Sequence, residues 1–112
     1  MICTTFTLQY TFLSIVFSNN LIIRPSVEYF SPAVTAYYVQ NVKISNNDIK
    51  DAPYSGISLG WGWGRGVKNC KNNEVAYNRI ENVLYRLRDG GHFYTMGKMN
   101  NTVIDSNYFV KS

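Results

Sequence analysis

An apolar–Asn–apolar signature recurs four times along this chain of 112 residues and constrains its fold more than any other feature. Successive asparagines of the signature lie about 30 residues apart, which is a spacing typical of repeat architectures. The three sets of aligned positions are Phe17/Ile44/Val75/Ile104, Asn20/Asn47/Asn78/Asn107 and Ile22/Ile49/Ile80/Phe109. The sequence therefore predicts a repeat protein with one asparagine at the same place in each unit.

Each unit predicts a short strand, a bend at the asparagine and a second strand. The alternation of Val42 and Ile44 and the β-branched content favour strand over helix. Asparagine suits a bend because it tolerates a left-handed conformation and its amide can bond to backbone groups. If the units stack, the asparagines lie about 4.8 Å apart, the spacing of neighbouring strands. We therefore expect a ladder of side-chain amides.

A third strand is predicted in three of the units, over Val34–Ala36, Gly56–Gly60 and Gly91–Thr95. Three short strands in a unit of about 30 residues describe a parallel β-helix. The alternative is an antiparallel β-sandwich of short strands, but a sandwich gives no reason to keep asparagine in register. The predicted fold is thus an all-β solenoid of about four coils.

The length allows one domain at most. We assign residues 14–112 to the coils and residues 1–13 to a ragged or truncated N-terminal segment. Neither end carries a recognisable polar cap, and an uncapped solenoid exposes apolar faces and strand edges. We therefore expect the chain to be a fragment of a longer β-helix.

Composition excludes several classes of function. The net charge of +4 comes from scattered Lys and Arg, without the basic stripe that nucleic-acid binding requires. The apolar N-terminus is interrupted by Thr, Gln and Ser, so it is not expected to span a membrane. Cys3 and Cys70 form no CxxC motif, and the seven acidic residues are not clustered. We therefore expect neither zinc nor calcium, and no cofactor.

Function is sought in two non-repetitive inserts, residues 51–64 and 86–97. Asp51 and Asp89 are each expected in the connection between the second and third strands of neighbouring coils. Such positions share one face of a solenoid. Glycosidases need two carboxyl groups about 5 Å apart for retention or 6.5–9.5 Å apart for inversion. The alternative is that each aspartate only shapes a turn.

The same inserts carry candidate substrate-binding side chains. Indole faces in the glycine-rich run stack on sugar rings, and arginines beside Asp89 can hold a substrate acid. His92, the single histidine, can orient the carboxylate or donate to a substrate. Tyr94 is two residues further along the predicted strand, so its side chain is expected on the same face as that of His92. Each also has a structural interpretation, as a packed or solvated side chain. The candidates are Tyr54, Trp61, Trp63, Arg86, His92 and Tyr94, with Arg88 beside them.

Residues 30–110 resemble the C-terminal part of right-handed parallel β-helix proteins of the pectate-lyase-like superfamily. The resemblance is carried by Asp51-Ala52-Pro53-Tyr54-Ser55-Gly56-Ile57-Ser58, by Gly60-Trp61-Gly62-Trp63, and by Asp89-Gly90-Gly91 with Tyr94-Thr95. It implies a right-handed solenoid and a polysaccharide or oligosaccharide substrate, in a secreted or cell-surface setting.

The nearest glycosidase group includes fucosidase and xylanase activities, and its two catalytic aspartates correspond by this resemblance to Asp51 and Asp89. This chain has His92-Phe93 where that group has a small aliphatic residue, and it is much shorter. Two other interpretations stay open. One is a non-catalytic β-helix that binds glycans through Trp61, Trp63 and Tyr54, and the other is an inactive truncated copy.

Overall fold

Twelve β-strands and no helix are found in the residues that the computed structural model describes, 6–9, 14–25, 31–60 and 70–110. In chain order the strands are β1 (Phe6–Gln9), β2 (Ile15–Ser18), β3 (Leu21–Ile23), β4 (Val34–Tyr37), β5 (Val42–Ser45), β6 (Asp48–Ala52), β7 (Ile57–Leu59), β8 (Glu74–Ala76), β9 (Arg79–Val83), β10 (Phe93–Thr95), β11 (Val103–Asp105) and β12 (Tyr108–Val110).

The strands form three four-stranded sheets in which every pairing is parallel. The sheets have the orders β1-β4-β7-β10, β11-β8-β5-β2 and β12-β9-β6-β3. Each strand thus pairs with the corresponding strand of the next repeat. The all-β, parallel part of the sequence prediction is confirmed, and the antiparallel alternative is excluded for the described residues.

The two apolar sets of the repeat supply much of the core, which also includes buried side chains of β4 and β7. Ile44 pairs in register with Val75, and Ile49 pairs with Ile80. All four side chains are buried. Burying an aliphatic side chain of this size stabilises a fold by about 1.5–3 kcal/mol. Because each repeat contributes to both sets, the core runs continuously from one strand to the next across the sheets.

The asparagines form the expected amide ladder. The Nδ2 groups of Asn20, Asn47 and Asn78 each donate to the Oδ1 of the next asparagine, with a donor–acceptor distance of 2.9 Å at every step. The same Oδ1 atoms also accept the backbone N–H of the preceding asparagine. Asn47 and Asn78 are buried, so these bonds satisfy polar groups that water does not reach.

The left-handed residue at this bend is not the ladder asparagine, as the sequence had suggested, but the residue before it. The positive φ angles belong to Asn19 (60°), Asn46 (55°), Tyr77 (59°) and Ser106 (56°). The ladder amide must point inward to stack, and the turn is therefore made one position earlier. A left-handed tyrosine costs roughly 1–2 kcal/mol, which the buried ladder offsets.

A second bend is held by Asn73. Its Oδ1 accepts the N–H of Val42 at 3.0 Å, and its Nδ2 donates to the carbonyl of Val39 at 3.0 Å. Asn73 also donates to the sulfur of Cys70 at 3.4 Å. Cys70 is 2% exposed, and burial raises the pKa of its thiol.

Because the thiolate is the nucleophile, Cys70 is expected to resist alkylation in the folded chain. We predict that iodoacetamide modifies Cys70 at a rate at least about tenfold slower in buffer than in denaturant, as measured by mass spectrometry of the peptide that contains it. Equal rates in the two solvents would contradict the burial of this side chain.

Candidate functional site

Asp51 lies in β6 rather than in the connection that follows it. The pairs Lys50–Glu81 and Ala52–Val83 place it opposite Asn82, and the two residues share a left-handed backbone with φ angles of 57° and 53°. The Nδ2 of Asn82 donates to Asp51 Oδ1 at 2.7 Å. The sheet register continues through the bend, which is why the strand includes Asp51.

The connection after β6 packs against the connection after β9. The N–H of Leu84 donates to the carbonyl of Tyr54 at 3.0 Å, and the N–H groups of Arg86 and Leu87 both donate to the carbonyl of Pro53 at 3.0 Å. Parallel stacking alone brings these segments together, because they follow neighbouring strands of one sheet. The described part of the first insert, residues 51–60, therefore lies beside the connection that leads into the second.

Tyr54 joins the two connections. Its hydroxyl donates to the backbone carbonyl of Asp89 at 2.7 Å. Partial burial raises the pKa of Tyr54, and the nearby charge of Asp89 raises it further. The phenol therefore stays protonated and keeps donating, which fixes the backbone at Asp89 while its carboxylate stays exposed. Tyr54 thus holds the backbone at Asp89, and its assignment to substrate binding stays a prediction.

Gly90 explains why the turn after Asp89 is rich in glycine. A Cβ at this position would meet Ser55 Oγ, and would lie 2.9 Å from Cε1 of Tyr54. The hydroxyl of Ser55 also accepts the N–H of Gly91 at 3.3 Å. Only a residue without a side chain lets this turn approach the neighbouring connection so closely.

A cavity of about 440 Å³ opens on the same wall. His92 forms one side of it: its ring stacks on Phe109 with centroids 5.2 Å apart, and its Nε2 donates to the carbonyl of Val110 at 3.1 Å. The lining combines hydrogen-bond donors with apolar surface and consists of Asn82, Val83, Leu84, Tyr85, Arg88, His92 and Val110.

Some of the predicted site residues line this cavity, and others lie beside it or elsewhere. His92 lines it, whereas Asp51, Tyr54 and Asp89 belong to the adjoining strand and connections. Arg86 is exposed and does not line it; its neighbour Arg88 does. Tyr94 lies in β10, in register with Ser58. The predictions for Trp61 and Trp63 concern positions outside the described residues.

Asn82 and Tyr85 are cavity residues that the sequence analysis did not select. The sequence could have indicated Asn82, because it stands at the same offset from Asn78 as Asp51 does from Asn47. Tyr85 had none, since it lies beyond the last repetitive position of its unit. The cavity thus combines residues of the repeat strands β9 and β12 with residues of the irregular connection.

Comparisons with known protein families, with curated proteins and with solved structures find no match. Within the residues described, no helix is long and apolar enough to cross a membrane. Nor does the described part bring together three or more His, Cys, Asp or Glu side chains in an arrangement that suits a metal ion.

Proposed function

We propose that the chain forms about four coils of a right-handed parallel β-helix of the pectate-lyase-like kind. Three parallel sheets in a common register support this architecture, since each sheet contributes one strand to every repeat. The continuous amide ladder supports it too, because a bend must recur at the same place in each coil for asparagines to stack.

The wall that carries the two connections binds a glycan and hydrolyses a glycosidic bond, with Asp51 and Asp89 as the two carboxyl groups. The observation that carries this proposal is the hydrogen bond from the Tyr54 hydroxyl to the backbone carbonyl of Asp89. Tyr54 lies three residues after Asp51, in the connection that follows β6, and Asp89 lies in the connection that follows β9. This bond ties the segments that hold both aspartates to a single wall. Such an enzyme acts outside the cell, where its substrates occur.

The two carboxyl groups have different surroundings, which suits different roles. Asp51 accepts a hydrogen bond from Asn82, so its carboxylate is oriented and serves as the nucleophile or as the base for water. Asp89 is exposed at the turn and protonates the leaving glycosidic oxygen. No cofactor is needed for this chemistry.

The cavity supplies the binding contacts. Arg88 and Asn82 present N–H donors, which suit the hydroxyl and ring oxygens of a sugar or an acidic substituent. The ring of Tyr85 and the side chain of Val83 add apolar surface for the hydrophobic face of the ring. A few polar groups on an otherwise apolar lining are typical of small-molecule sites.

Glycan binding without hydrolysis is the second candidate. It is favoured by the internal bond to Asp51 Oδ1, because Asn82 engages one of the two carboxylate oxygens that catalysis would use. Incubating the chain with a panel of oligosaccharides separates the candidates. Release of new reducing ends supports hydrolysis, whereas binding without release supports the second candidate. The absence of both binding and release across neutral, acidic and deoxy sugars would contradict both.

Arg88 is expected to contribute to affinity for any glycan that the chain binds. We predict that Arg88→Ala weakens binding about tenfold, the loss of one charged hydrogen bond, as measured by calorimetric titration. Arg86→Ala is the matched control, since it removes the same charge from the same connection but not from the cavity. Equal losses in the two variants would place the ligand elsewhere.

A further inference from the structure

The bend between β10 and β11 carries a sequence motif that the proposed function does not use. Asn100-Asn101-Thr102 is the one place in the sequence where asparagine is followed by any residue except proline and then by serine or threonine. This triplet is the acceptor sequence for N-linked glycans, which lie on surface loops of secreted proteins. Because the chain is rich in asparagine, the triplet has weight only if the bend presents Asn100 to solvent.

The side chain of Asn100 is exposed, whereas its backbone is held in place. The Asn100 carbonyl accepts the N–H of Asn72 at 2.9 Å and the hydroxyl of Thr102 at 3.5 Å. A left-handed Asn101, with a φ angle of 53°, turns the chain. Among the described residues, none forms a hydrogen bond with the side-chain amide of Asn100. The Nδ2 of Asn100 can therefore be joined to a sugar without breaking a hydrogen bond of the fold.

The repeat does not require an asparagine at this corner. Parallel bridges join Gln40 to Lys71 and Lys71 to Asn100, so these residues occupy the same place in successive units. Three different side chains serve there because the bridge uses only the backbone. The ladder asparagines differ, since Asn47 and Asn78 are buried and each is bonded to an asparagine on both sides. Stacking therefore does not account for the asparagine at position 100.

The threonine of the motif also departs from the repeat. Counting back from the pair Val103–Glu74 places Thr102 at the position of Asn73, whose amide holds the neighbouring bend. The Thr102 hydroxyl bonds within its own turn instead. Both residues that define the acceptor motif thus differ from their counterparts in the preceding unit. The residues that line the cavity belong to other segments, so this corner is separate from the candidate site.

We propose that Asn100 is a site of N-linked glycosylation. The reaction joins Asn100 Nδ2 to the anomeric carbon of an oligosaccharide that is carried on a lipid diphosphate. The bond from that carbon to the diphosphate oxygen breaks, the lipid diphosphate leaves, and the amide nitrogen gives one proton to a base of the transferring enzyme. The inference rests on the proposed function only for the extracellular setting, because the transferring enzyme acts on exported chains.

Expression of the full chain behind a secretion leader in eukaryotic cells tests the site. The chain is recovered from cells and medium together, its folded fraction is separated by size exclusion, and the peptide that contains Asn100 is analysed by mass spectrometry. We expect a glycan on this peptide in the folded fraction. Treatment with an N-glycosidase in isotope-labelled water is expected to remove the glycan and leave a labelled aspartate. An unmodified peptide, or a glycan confined to misfolded chains, would overturn the proposal.

Variants of the triplet separate the motif from its surroundings. Asn100→Gln and Thr102→Ala are expected to abolish the modification, whereas Thr102→Ser keeps the hydroxyl and is expected to retain it. Asn101→Gly is the matched control, because glycine suits the left-handed backbone and leaves the motif intact. A glycan that persists in Thr102→Ala or is lost in Asn101→Gly would overturn the proposal. The mass measurement does not depend on sugar binding in the cavity, so a failed hydrolysis assay and an unmodified Asn100 are separate results.

Discussion

Replacing either Asp51 or Asp89 by Asn is expected to lower glycan hydrolysis at least about a hundredfold while leaving glycan binding within about threefold. Each substitution keeps the size of the side chain but removes the carboxyl group that transfers a proton or attacks the sugar. The rate of reducing-end release on the best oligosaccharide measures the first effect, and calorimetric titration measures the second.

Neither substitution should disturb the fold. Asn at position 51 still accepts the bond from Asn82 and tolerates the left-handed backbone, and Tyr54 bonds to the main chain of residue 89 rather than to its carboxylate. Asp105→Asn is the matched control, an exposed aspartate on another strand. Hydrolysis that persists in both single variants would exclude these residues from the chemistry.

Asn78→Ala is expected to destabilise the chain by about 4 kcal/mol, a large share of the ~5–15 kcal/mol that holds a typical domain together. The substitution leaves the N–H and one Nδ2–H of Asn47 and the carbonyl of Ile44 without their partner. Each unsatisfied buried group costs roughly 1–3 kcal/mol. Urea denaturation followed by circular dichroism measures the change.

Asn20→Ala is the comparison at the partly exposed end of the same ladder. It removes two side-chain bonds, from Asn20 Nδ2 to Asn47 Oδ1 and to the carbonyl of Ser18, but water can replace them. We expect a loss of about 1 kcal/mol. If the two variants lose equal stability, the buried ladder does not contribute as inferred.

The part of the fold that could be predicted is the part that repeats. Ile44, Asn47 and Ile49 have counterparts at fixed offsets, and stacking turns such offsets into contacts. The position of the left-handed residue could not be predicted this way. Asn46 and Tyr77 share a backbone conformation but no side-chain chemistry, so the residue type at this step carries no signal.

The candidate site was predictable only where it touches the repeat. Parallel stacking explains why the connection that follows Asp51 lies beside the one that holds Asp89, although the strand register extends further than the alternation of apolar residues suggested. The cavity depends on how residues 84–92 fold over the neighbouring connection. That path is set by the close approach of Gly90 to Ser55 and by the hydrogen bond from Gly91 to the Ser55 hydroxyl. These contacts join segments that are not part of the sequence repeat.

Nuclear Overhauser effects among the side-chain amides test the stacking most directly. Parallel stacking predicts cross-peaks that connect Asn47 to Asn20 and to Asn78, and Asn78 to Asn107, because strand neighbours lie about 4.8 Å apart. No cross-peak should join Asn20 to Asn78, which are two steps apart. Close Hα–Hα contacts between facing strands, which are typical of antiparallel pairs, or an absence of the ladder cross-peaks in the folded chain would contradict the parallel fold.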